Sequence, residues 1–176
     1  MALKDSEGIL KGSIDYFNYI FKNYIPANYK KIDLVVITSN YAAYPKEKLD
    51  QKIKFSQYYF SKYKIPVLFI GQTKVYPIDF PTYYYSKKKY AVNYPNEESL
   101  FNNTMKINNY LNENLGSRYI NLLDLNMKQL SPKNYPYLYD KNHLTYYGTE
   151  QYREVIQNVI LNTMKKNINL KNTTND

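Results

Sequence analysis

The chain has no cysteine, no tryptophan, one histidine and five glycines among 176 residues. Without cysteine there is no disulfide, no thiolate zinc ligand and no thiol nucleophile, and the redox compartment stays open. A single histidine leaves too few donors for a tight transition-metal site, so neither a metal nor a cofactor is expected. Long apolar runs are also missing. Leu34-Val35-Val36-Ile37 and Val67-Leu68-Phe69-Ile70 are far too short to span a bilayer, and Met1 to Gly8 lacks the apolar core of a signal peptide.

Acidic residues are scarce too: 15 Asp and Glu face 24 Lys and Arg, a formal charge of +9. That excess suits an anionic partner, whether nucleic acid, acidic glycan or membrane surface. It is mostly lysine, however, spread along the whole chain beside many Asn, Ile and Tyr. Such a spread reads as compositional drift, and with no arginine cluster or nucleic-acid motif no nucleic-acid partner is expected. In place of tryptophan stand 23 tyrosines, side chains able to stack on bases or sugars.

The length suits one domain with a sizeable core. Residues 1–12 read as a flexible polar lead-in, 13–166 as the folded domain and 167–176 as a disordered Asn/Thr tail. Ile14, Phe17, Ile20, Phe21 and Tyr24 recur at helical steps after Ser13, a candidate N-cap, and Pro26 is expected to end that helix. Ile32–Ser39 reads as a strand buried on both faces, Lys46–Tyr63 as a helix and Ile65–Gly71 as a second buried strand. Lys74–Pro95, with Lys87-Lys88-Lys89, reads as a long substrate-side loop or a basic insertion. A helix from Asn96 or Ser99 closes at Gly116, Arg118–Leu125 reads as a third strand, and Thr145 caps a last helix that turns Tyr152, Val155, Ile156, Val159, Ile160 and Met164 inward. This alternation predicts a three-layer α/β/α sandwich on a parallel sheet, with ligands outside the carboxyl ends of its strands.

The one histidine lies in Tyr139-Asp140-Lys141-Asn142-His143-Leu144-Thr145-Tyr146-Tyr147-Gly148. Histidine exchanges protons near neutral pH, and an aspartate three residues earlier can take its Nδ1 hydrogen and leave Nε2 for a nucleophile. An isolated D-x-x-H is more often a surface turn.

Together with the order of elements, the block Asp140-x-x-His143-Leu144-Thr145-x-x-Gly148 resembles the SGNH hydrolase family, in particular the C-terminal SGNH domains of bacterial membrane acyltransferases that O-acetylate cell-surface glycans. The resemblance covers about residues 14–165. It implies an SGNH or flavodoxin-like sheet, with His143 as general base, Asp140 as the residue orienting it and Asn40 as an oxyanion-hole donor. Around Asn40 the pattern departs, with Thr38 where the family has Gly and Tyr41 where it has Asp. The family also needs a strand leading into Gly-Asp-Ser. Asp5-Ser6 is the only Asp-Ser pair, which makes Ser6 the candidate nucleophile, but it lacks the glycine and a strand of sufficient length. The sheet is therefore expected to lack its first strands, with the nucleophile upstream. In function the resemblance implies an O-acyltransferase or esterase domain, expected to be inactive as an isolated chain. The implied partners are an acylated or acyl-accepting glycan and a membrane acyltransferase domain upstream or in trans, which would place the chain at the membrane or in the periplasm. The alternative is an inactive carbohydrate-binding or interaction remnant, with Tyr41, Tyr44, Tyr83, Tyr84 and Tyr85 as stacking platforms.

Overall fold

A computed structural model describes the backbone of residues 9–173, with side chains described for residues 12–166. Helix α1 (Ile9–Tyr19) passes through a π-helical turn at Ile20–Tyr24 into α2 (Ile25–Asn28) and a 3-10 turn, Tyr29–Lys31. Then come β1 (Val35–Thr38), a 3-10 turn at Tyr41–Ala43, α3 (Lys46–Ser61), β2 (Val67–Ile70), α4 (Phe80–Tyr90), α5 (Glu97–Leu115), a 3-10 turn at Gly116–Arg118, β3 (Tyr119–Ile120) and α6 (Tyr146–Thr173).

The three strands form one parallel sheet in the order β1-β2-β3, Val35 opposite Val67 and Phe69 opposite Tyr119. Side chains alternate across a strand, so β2 feeds two cores. Val67 and Phe69, with Val35, Ile37 and Tyr119, meet Ile25 of α2, Leu49, Ile53 and Phe60 of α3, and Ile107, Leu111 and Leu115 of α5. On the other face Leu68, Ile70 and Ile120 meet Tyr152, Val155, Ile156, Val159 and Ile160 of α6. The molecule is thus a small α/β domain, a three-stranded parallel sheet between two helical layers.

Several expectations need correction. The chain is already helical at Ile9, so Ser13 is inside α1 and residues 9–12 are no lead-in; residues 1–8 lie outside the described residues. Pro26 does not stop the helix. A proline lacks the N–H and crowds the carbonyl four residues back, and the chain relieves this by widening one turn, so that Ile25 N–H bonds to Ile20 O five residues away. Ile20 and Phe21 do pack on the core, but Phe17 and Tyr24 are exposed. The predicted tail is helical to Thr173.

Ile32–Ser39 is not buried on both faces. Among the described residues strand β1 has a neighbour on one side only, and Val36 stays 40% exposed. The 74–95 segment is not an open loop, for α4 occupies its middle. Lys87, Lys88 and Lys89 form the last turn of α4, where cations complement the helix dipole, and Lys87 binds Glu97 at 2.7 Å. The third strand is two residues long because Asn121 ends it: its Oδ1 accepts from Leu123 N–H at 3.0 Å and its Nδ2 donates to Asp124 at 2.6 Å, closing an Asx turn.

A tight approach locks the carboxyl end of β2. A Cβ on Gly71 would meet Tyr119 Oη at 2.6 Å and Ile120 O at 2.8 Å, whereas one on Gly12 would meet nothing within 4 Å. Gly71→Ala should therefore destabilise the fold by about 1–3 kcal/mol through overpacking. Gly12→Ala, in a helix interior, should be neutral or stabilise by about 0.5–1 kcal/mol. Urea denaturation of both variants checks the contrast.

Candidate functional site

Residues 137–145 double back on themselves. Leu138 and Leu144 pair as an antiparallel bridge, Tyr139 N–H donates to His143 O at 3.1 Å, and Thr145 N–H donates to Tyr137 O at 2.9 Å. The Asp140 carboxylate organises the tip: Oδ1 accepts from the N–H groups of Asn142 (3.0 Å) and His143 (2.8 Å), while Oδ2 lies 2.7 Å from His143 Nδ1. One side chain thus builds the turn and orients the imidazole. With Nδ1–H donating to Asp140, a neutral imidazole presents its Nε2 lone pair outward. The two residues brought together here are the two that the D-x-x-H pattern pairs.

This turn is fastened to the carboxyl edge of the sheet by the segment that leaves β2. Thr73 Oγ1 donates to Asn142 O at 3.1 Å, Tyr76 N–H to Lys141 O at 2.9 Å and Phe80 N–H to Asp140 O at 3.1 Å. Beneath it lies a satellite core of Tyr76, Phe80, Tyr83, Tyr137 and Leu138, in which the Tyr76 and Tyr137 hydroxyls share a bond of 2.9 Å. Burial pushes both phenols above their ordinary range, so they remain neutral hydroxyls. Thr145 caps α6 as expected, its Oγ1 accepting from Gly148 N–H at 3.1 Å.

Asn40 lies two residues beyond the end of β1 and is exposed. Its loop reaches the same region through Gln72, whose Oε1 accepts from Ala42 N–H at 2.8 Å. Asn40 and His143 share no hydrogen bond among the described residues, although both their loops lean on Gln72-Thr73. Ser6 lies outside the described residues. No other Ser or Thr hydroxyl bonds to His143 among the described residues.

Of the tyrosines expected as platforms, Tyr41 (3% exposed) and Tyr83 (8%) belong to the interior. Tyr41 donates to Ile37 O at 3.0 Å and Tyr83 to Glu97. Lys52 lies over Tyr44 and Lys88 over Tyr84. Missed in the sequence were Thr73 and Tyr76 as anchors of the turn and Tyr139, whose ring stacks beside the imidazole at a centroid distance of 5.7 Å. The matched pair Leu138 and Leu144 around a polar tip was the available signal for that last contact.

Among the described residues no group of three or more His, Cys, Asp or Glu side chains is placed to hold a metal ion, and no helix is long and apolar enough to cross a membrane. No protein-family description, curated protein or solved structure matches the chain.

Backbone N–H donors from Asn142 and His143, followed by the His143 ring, hold the Asp140 carboxyl down at about 2. A depressed carboxyl contributes stability above its ordinary range and loses it as pH falls through its folded value. The turn should hold at pH 4 and open as pH approaches 2, with the Asp140 carboxyl carbon titrating near 2 by NMR. Gly148 is a separate constraint, since a Cβ there would meet Tyr137 O at 2.1 Å. Gly148→Ala should cost about 1–3 kcal/mol in thermal denaturation and displace the imidazole from Asp140.

Proposed function

We propose that the chain is a catalytically silent SGNH-like domain that binds acylated or acyl-accepting cell-surface glycans at the Asp140–His143 edge of its sheet. One observation carries this reading. The Asp-His pair is formed at 2.7 Å, yet Nε2 has no hydroxyl partner among the described residues. An orienter and a base without a nucleophile bind polar ligands but do not form a covalent acyl intermediate. The parallel strand order and the turn beyond the carboxyl ends of the strands support an SGNH-like descent.

The preorganised pair favours a second reading, an O-acyltransferase or esterase completed by a serine from a segment upstream or in trans. There the serine Oγ would attack the acyl carbonyl carbon while its proton passes to His143 Nε2. The imidazolium, stabilised by Asp140, would return that proton to the departing alcohol oxygen, and a sugar hydroxyl or water would then release the acyl group. Asn40 would be the oxyanion donor in that scheme, a contribution typically worth ~3 kcal/mol.

A fluorophosphonate probe, applied to the chain together with the upstream segment or partner domain that would carry the serine, separates the two. The expected result is no labelling, with binding of the folded chain to an O-acetylated polysaccharide that survives His143→Ala. Stoichiometric labelling that disappears in His143→Ala would establish the enzyme instead.

A further inference from the structure

The turn that pairs Asp140 with His143 also fixes an aromatic ring beside the base. Tyr139 and His143 lie directly across from each other, one step beyond the Leu138–Leu144 bridge, so their side chains leave the same face. The two rings are nearly parallel, 19° between planes. Neither is covered: Tyr139 is 59% exposed and the His143 side chain 63%.

Several other tyrosine rings at the surface are partnered, whereas Tyr19, Tyr24, Tyr135 and Tyr146 are exposed without a ring or cation partner among the described residues. Lysine ammonium groups sit over Tyr44, Tyr58, Tyr84 and Tyr90, and Tyr85 meets Tyr84 edge-on. Tyr139 has no ring partner besides His143 among the described residues, and its hydroxyl makes no hydrogen bond there. Its backbone is nevertheless held by the bond to His143 O. A ring on a held backbone forfeits less entropy on binding, and what sets Tyr139 apart from Tyr135, which is also exposed on a hydrogen-bonded backbone, is its place beside the imidazole.

Taking the glycan reading as the starting point, we propose that Tyr139 is the stacking platform of the site and that its ligand is a pyranose ring. The negative face of the phenol ring attracts the polarised C–H groups on the apolar face of a pyranose. The polar groups at the rim, His143 Nε2 and the Tyr139 hydroxyl, match the equatorial hydroxyls around such a ring. An open-chain polyol has the same hydroxyls but no flat apolar face.

Because the chain has one histidine, its ring protons give a single pair of NMR signals next to Tyr139. Methyl β-glucopyranoside, chitotetraose and a uronate oligosaccharide serve as probes, with mannitol as the open-chain control. At least one pyranoside should shift the histidine signals, and mannitol should not. Tyr139→Ala should weaken that binding by about tenfold or more, and Tyr139→Phe by less than about twofold. Tyr139→Leu, which keeps bulk without a π face, should behave like the alanine variant and guards against a folding artefact. In the unliganded protein, Tyr139→Ala should also move the histidine signals by removing the ring current. Pyranoside binding of equal strength in wild type, Tyr139→Ala and Tyr139→Leu would overturn the platform and leave the glycan reading standing. If none of the three pyranosides perturbs any resonance of the wild-type protein, both fall.

Discussion

The structure depends on strand β2 and the residues that continue it. Leu68 and Phe69 are each 1% exposed, and they point into opposite cores, so a single dipeptide joins both helical layers to the sheet. The chain beyond β2 then serves the site: Gly71 closes against β3, Gln72 holds the loop after β1, and Thr73, Tyr76 and Phe80 hold the Asp140–His143 turn. Core packing and site geometry are therefore consecutive stretches of one segment. A disturbance of β2 reaches the imidazole through three backbone acceptors.

Asp140 shows how a short motif can carry structure and chemistry at once. Its two oxygens divide the work, one accepting backbone N–H groups and the other the ring nitrogen. The bonds to backbone alone would suffice for an ordinary surface turn. The third places a proton acceptor with its free nitrogen toward solvent. The arrangement needs few residues and little burial, and it forms without a hydroxyl partner on His143 among the described residues.

Much of the architecture was legible in the pattern of apolar residues. The apolar run in Ile65–Gly71 read correctly as a buried strand, observed at Val67–Ile70, and the three- and four-residue recurrence in α5 and α6 read correctly as amphipathic helices. The failures had physical causes. Tyr83 and Phe80 looked like loop residues until Tyr137, distant in sequence, gave them a core to enter. Pro26 looked like a terminator because a widened turn leaves no local signature. The strand read in Ile32–Ser39 was shorter and more exposed than its composition implied, because burial depends on what lies beside a strand rather than on the strand itself.

For the candidate site the division is similar. By itself the sequence determined that Asp140 and His143 meet, since three residues of separation and an Asx turn bring the groups together through local bonds alone. It also determined the cap at Thr145, and so the start of the helix behind the turn. Only the tertiary structure decided which bonds fasten this turn at the carboxyl edge of the sheet, because they run from residues 73–80 to residues 140–142, about 60 to 70 positions apart. It likewise decided which tyrosines are bare. Local sequence specifies short-range hydrogen bonds, whereas exposure is set by whichever distant side chains fill the space nearby, and Tyr139 stays open because none does.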